Sequence, residues 1–171
     1  MASDHERAPV LVLGLGNLLL QDDAVGLSLC ERLRAAHGVD ARVEFVDGGT
    51  QGLALLGRLD DRRAVLLLDA VVRGDAPGTV HRLDDALAAA PPGSAGATGG
   101  AHQQNAGDLL LTARLLGCVP PRVAVVGIEP ALLRTSIGLS DAVAAALPMA
   151  VATAHTVLRE LLAAEEAPCT S

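Results

Sequence analysis

Four acidic side chains and one histidine stand where chemistry could be done. Asp22 and Asp23 follow an apolar run that ends at Leu15 and a short loop. Asp47 ends a second apolar run, and Asp69 follows three leucines at the end of a third. His102 lies in the segment GGAHQQ, where flanking glycines let a side chain be aimed at a site. Two carboxylates and one imidazole suit a divalent transition metal with open coordination positions. Asp23, Asp69 and His102 are therefore the candidate set, although composition alone cannot show that they converge.

Each acid also has a plain structural reading. Asp22 or Asp23 could simply begin a helix, where a carboxylate complements the macrodipole. Asp47 before Gly48-Gly49 reads as a turn residue. Asp69 is harder to dismiss, because a buried strand seldom ends in an acid without a partner. Among the other histidines, His5 falls in a terminal segment and His37 reads as a helix C-terminal cap beside Gly38. His81 reads as exposed on an edge strand, and His155 as part of a long helix.

The elements that must position these residues alternate. Residues 10–15, 43–46, 64–68 and 123–128 are short, nearly continuous apolar runs, which read as buried parallel strands. Residues 79–83 alternate and read as an edge strand. Helices fill the gaps at 23–36, 51–59, 105–116 and 140–162. Ser140 is placed as an N-cap of the last helix. Pro148 inside that helix predicts a kink or a break into two. The alternation implies an α/β fold of three layers, a twisted and mainly parallel five-stranded sheet with helices on both faces. In such folds ligands sit beyond the carboxyl ends of the strands, where three of the acids fall. A single domain over 9–163 is expected, with flexible tails at 1–8 and 164–171. The Ala/Gly/Pro-rich stretch 88–101 reads as a loop.

Composition excludes several classes. The chain has 171 residues, 13 basic against 20 acidic, and a formal net charge of −7. That argues against nucleic acid and against an anionic membrane surface. No apolar run reaches the roughly 18 residues a membrane helix needs. All the basic residues are Arg, so lysine Schiff-base and P-loop chemistry are excluded. Trp and Tyr are absent and Phe45 is the one aromatic of the Phe/Trp/Tyr class. Cys30, Cys118 and Cys169 are odd in number and widely spaced, which suits a reducing cytoplasm rather than a disulfide framework. There is no long heptad pattern, and a monomer is expected.

A nucleotide site is the rival reading. Gly14-Leu15-Gly16 follows a strand and Asp47 ends the next one. The third glycine of a dinucleotide fingerprint is missing, however, and Asp47 follows Gly14 by 33 residues. Asp22 and Asp23 would also set negative charge beside the phosphates.

In sequence order, Gly14-Leu15-Gly16-Asn17 with Leu19, Asp22-Asp23 and Gly26 resembles the opening motif of the nickel–iron hydrogenase maturation endopeptidases. Asp47-Gly48-Gly49-Thr50 with Gly52 resembles the family's second motif, and Asp69-Ala70 followed by Ala76-Pro77-Gly78-Thr79 its third. His102-Gln103 with Asp108-Leu109-Leu110 resembles the fourth. Val126-Gly127-Ile128-Glu129-Pro130 and Gly138-Leu139-Ser140 resemble the C-terminal part. Ala24 and Gly100 depart from the family's common residues.

The resemblance implies an endopeptidase that removes a C-terminal extension from a nickel-loaded [NiFe] hydrogenase large-subunit precursor. It implies that Asp23, Asp69 and His102 meet a metal, with nickel delivered in the substrate and other divalent ions able to occupy the site. Asp23 and Asp69 would be the catalytic acids, supported by the loop residues Gly14, Gly16, Asn17, Asp22, Asp47, Gly48 and Gly49. Metal-dependent and aspartic-type hydrolysis both stay open at this stage. So do two other classes, a chaperone-like binder of the precursor and a nucleotide-binding module.

Overall fold

The computed structural model describes residues 7–84 and 106–164. Strand β1 is Val10–Leu15, every residue of it buried. A 3-10 turn at Gln21–Ala24 leads into helix α1, Val25–His37. Strand β2 is Val43–Gly49, followed by a 3-10 turn at Gly52–Leu55 and the single-turn helix α2, Leu56–Leu59. Strand β3 is Ala64–Ala70 and β4 is Val80–Asp84. Helix α3 is Ala106–Leu116, β5 is Arg122–Ile128 and helix α4 is Asp141–Ala163.

The five strands lie in the order β2-β1-β3-β5-β4. The first four are parallel, and β4 pairs antiparallel with β5 at one edge. Central strands of such a sheet are covered on both faces, which explains their continuous apolar sequences. On one face Val12, Leu66, Val126 and their neighbours pack against Val25, Leu29 and Leu33 of α1 and Val143, Ala150, Val157 and Leu161 of α4. On the other, Leu11, Leu13, Leu67 and Val125 pack against Leu55, Leu59, Leu109, Leu110 and Ala113. The three-layer mainly parallel α/β fold is the one expected from the pattern.

Several local expectations are corrected. Helix α4 is continuous through Pro148 rather than broken into two. Ser140 does occupy its N-cap position, but its hydroxyl makes no capping bond and donates elsewhere. His37 does not cap α1; Gly38 ends it, with a positive φ of 79° and its N–H donating to the Arg34 carbonyl. The expected helix over 51–59 is a 3-10 turn plus one α-turn, and Asp23 lies in a 3-10 turn before α1.

Helix α4 overturns the expectation that no apolar run has the length of a membrane helix. At 23 residues, with a mean hydropathy of 1.4 over its most apolar 18-residue window, it is long and apolar enough, by length and composition, to cross a membrane. Here its apolar stripe, Val143, Leu147, Ala150, Ala154, Val157, Leu158, Leu161 and Leu162, is buried against the sheet and α1.

Candidate active site

Glycine backbone sets the entry to the site. A Cβ on Gly26 would lie 2.2 Å from the Leu68 carbonyl oxygen and 2.3 Å from that of Leu15. The first turn of α1 thus rests directly on the ends of β1 and β3. Gly16 has φ +128° and a Cβ there would fall 1.8 Å from the Asp23 carbonyl oxygen. These contacts leave room for backbone alone. At the next strand, Gly48 sits at a register shift between β1 and β2 and is packed by Leu13 and Leu55. Gly49, at φ +47°, accepts the N–H of Gly16 on its carbonyl.

Asp23 is brought to the carboxyl edge of the sheet by that packing. Its Oδ2 accepts the backbone N–H of Asn17 at 2.7 Å, and Asn17 Oδ1 in turn accepts the N–H of Leu19. Asp23 is half-buried. Burial raises its carboxyl above the ordinary range, partly offset by the Asn17 N–H.

Asp69 is the sixth residue of β3 and only 4% exposed. Its Oδ1 accepts the N–H of Ala70 and its Oδ2 that of Ala106, both at 2.8 Å. Ala106 begins α3, so the carboxylate stands at a helix N-terminus. Burial nonetheless dominates and pushes the Asp69 carboxyl up to about 7, with the nearby charge of Asp23 adding to the rise. Asp69 therefore keeps its proton well above the ordinary carboxylate range, with a second acid nearby. His102 lies outside the described residues.

The neighbouring acid has a different task. Asp22 is fully buried. Its Oδ2 accepts the N–H groups of Ala131 and Leu132 and the Ser140 hydroxyl; its Oδ1 accepts the Ser140 N–H. Burial opposes ionisation, but these donors outweigh it and hold the Asp22 carboxyl below its ordinary value. Asp22 thus ties the loop after β5 to the loop after β1, which also meet at a bridge between Leu20 and Ser136. Together they present Leu18, Leu19, Leu132, Leu133 and Ile137 to solvent. Asp47 is exposed on the edge strand β2, paired in register with Gly14.

The two described thiols are structural. Cys30 is buried on the α1 stripe with its ionisation pushed up by burial, and it donates to the Val46 carbonyl. Cys118 donates to the Ala113 carbonyl.

The expectation for His81 fails. Although β4 is an edge strand, His81 is 9% exposed, with its Nε2 3.0 Å from Glu129 Oε2. Glu129 is the residue the sequence reading missed. It follows a buried apolar strand as Asp69 does, so the same signal was present. Asp69, Gly127 and His81 share one row across β3, β5 and β4.

A doubly wound sheet with two acids from separate motifs at its carboxyl edge, framed by glycine-packed loops, defines an α/β protein with a candidate site at that edge. The chain matches the family model for the hydrogenase maturation protease over residues 27–157. It is 36% identical over 152 residues to the Hydrogenase 2 maturation protease of Escherichia coli K12, covering 88% of this chain and 91% of that one. It is 38% identical over 151 residues to the hydrogenase expression/formation protein HupD of Rhodobacter capsulatus, covering 88% and 71%. Among solved structures, the hydrogenase maturating endopeptidase HybD from E. coli superposes with a TM-score of 0.74 at 35% identity, covering 88% and 92%. The chain belongs to the hydrogenase maturation protease family and is a peptidase.

Proposed function

We propose that this chain is the endopeptidase that removes a C-terminal extension from a nickel-loaded [NiFe] hydrogenase large-subunit precursor. It acts as a monomer in the cytoplasm. The observation that supports this reading is that Asp23 and Asp69, from two separate motifs, both stand at the carboxyl edge of the sheet. Both carboxylates are held by backbone N–H groups, so their oxygens are fixed before any substrate arrives.

In this reading Asp23, Asp69 and His102 offer the donor set that receives the nickel ion of the precursor. Ala106, which donates to Asp69, follows His102 by four residues, a span of at most about 14 Å. A divalent ion engaged there supplies Lewis acidity. Asp23 is less buried than Asp69 and orients or deprotonates the attacking water. Asp69, deprotonated once the ion is engaged, would hold it in place, and the proton that Asp23 takes from the water passes to the departing amine. The exposed leucines of the two tied loops suit a protein substrate, since contiguous apolar patches on soluble proteins mark interaction sites. They favour cleavage of a folded precursor over that of a small molecule.

The test is a processing assay. The purified chain is incubated with the large-subunit precursor of its own host, with and without nickel, and the precursor mass is read. Loss of a C-terminal peptide from the nickel-loaded form alone is expected. Stable binding with no change of mass would replace this reading with the chaperone-like binder.

A further inference from the structure

We propose that Asp75, His81 and Glu129 form a second divalent-cation site, of the zinc class, that clasps edge strand β4 to the end of β5. The three side chains come from three segments: the loop after β3, the second residue of β4 and the residue after β5. Their ligand atoms all lie within 4.8 Å of one another. His81 Nε2 is 3.0 Å from Glu129 Oε2 and 3.8 Å from Asp75 Oδ2. A tetrahedral zinc ion with bonds of about 2.0–2.1 Å holds its ligands roughly 3.3–3.4 Å apart. The two separations straddle that edge.

A hydrogen bond accounts for only half of this arrangement. One Nε2–H can serve Glu129, but 3.8 Å is too long for a second bond to Asp75. Among the described residues Asp75 is paired with His81 alone. Two carboxylates gathered on one imidazole offer a divalent cation three donors from three segments. The set is also pre-oriented. Glu129 accepts the N–H groups of Arg73 and Gly74, so the loop that bears Asp75 is the loop that aims Glu129. Asp75 is more than half exposed, which leaves a side open to water as the fourth ligand.

The cluster is distinct from the Asp23–Asp69 pair. His81 and Asp69 flank Gly127 on opposite sides. A Cβ on Gly127 would lie 2.4 Å from Val71 Cγ2, so an apolar side chain occupies the ground between the two groups. The ion would act on structure. Among the described strands β4 pairs with β5 alone, and its junction with the 71–79 loop passes through this cluster.

The experiment uses the full chain, stripped with a chelator and then freed of it. Zinc is titrated by calorimetry, and cobalt(II) by its visible absorption. Asp69→Asn serves as the parent protein, to weaken binding at the Asp23–Asp69 pair. One equivalent of zinc is expected to bind and raise Tm. His81→Gln and Asp75→Asn, each added to that parent, should weaken zinc binding at least tenfold. Asp75 is an exposed loop residue, so its substitution tests the site in a folded protein. Equal zinc affinity in the parent and both variants, or no binding to the parent, would overturn the proposal.

Discussion

Asp22 and Ser140 lie 118 residues apart in sequence and meet through two hydrogen bonds, at 2.7 Å to the backbone N–H and 2.8 Å to the hydroxyl. With Ala131 and Leu132, this makes one buried carboxylate the main tie between two loops, beside the single bond from Arg134 Nε to Gln21 Oε1. Asp22→Ala would leave three backbone N–H groups without their acceptor. Each such loss costs about 1–3 kcal/mol, so a destabilisation of at least ~3 kcal/mol is expected in urea unfolding. Ser140→Ala removes only the hydroxyl bond and should cost about 1 kcal/mol.

The metal-free protein should lose stability as pH rises through neutrality. The Asp69 carboxyl stands at about 7 when folded against 3.8 as the reference value for the unfolded chain. Its contribution is fully present below the unfolded value and is lost as pH rises through the folded one. The full difference is on the order of 4 kcal/mol as an upper bound. Urea unfolding in chelator at pH 5, 6, 7 and 8 should show the decline. Asp69→Asn should flatten it, and an unchanged slope in that variant would place its origin elsewhere.

Gly26→Ala should prevent normal folding or cost more than ~3 kcal/mol, because a Cβ would overlap two carbonyl oxygens. Gly57→Ala is the matched control. It meets nothing within 4 Å and lies in a helical turn, so it should be neutral or stabilising by up to ~1 kcal/mol. Thermal melts of the two proteins decide the point.

Asp23→Asn should retain the fold and lose processing by about two orders of magnitude or more, the usual worth of a positioned acid–base group. The Asn side chain can still accept the Asn17 N–H, so circular dichroism and Tm should stay close to the parent. Processing at the parental rate would remove Asp23 from the site.

The strands were legible because burial on both faces leaves an unbroken apolar signature. The run 10–15 matches β1 to the residue, and β3 extends the expected run only by Asp69 and Ala70. Asp69 itself was legible, since an acid at the end of three leucines demands a reason. What the sequence concealed was which acid did what. Asp22 and Asp23 are adjacent and chemically alike, yet one is buried under a distant loop and the other faces the carboxyl edge. That division depends on residues 131–140, more than a hundred positions away. His81 was misjudged because an edge strand predicts exposure, whereas the 71–79 loop and Glu129 cover it.

The glycine contacts of α1 act as a ruler. Where a helix rests on a sheet through leucines, its height changes whenever those leucines are exchanged for valine or isoleucine. Here Gly26 meets two carbonyl oxygens and Gly16 meets the carbonyl of Asp23, so the distance is measured from backbone to backbone. The apolar layers on either side can therefore drift in composition over generations while the reach of Asp23 stays constant. Few positions must be kept for that constancy, and in them even one added methyl group is too much.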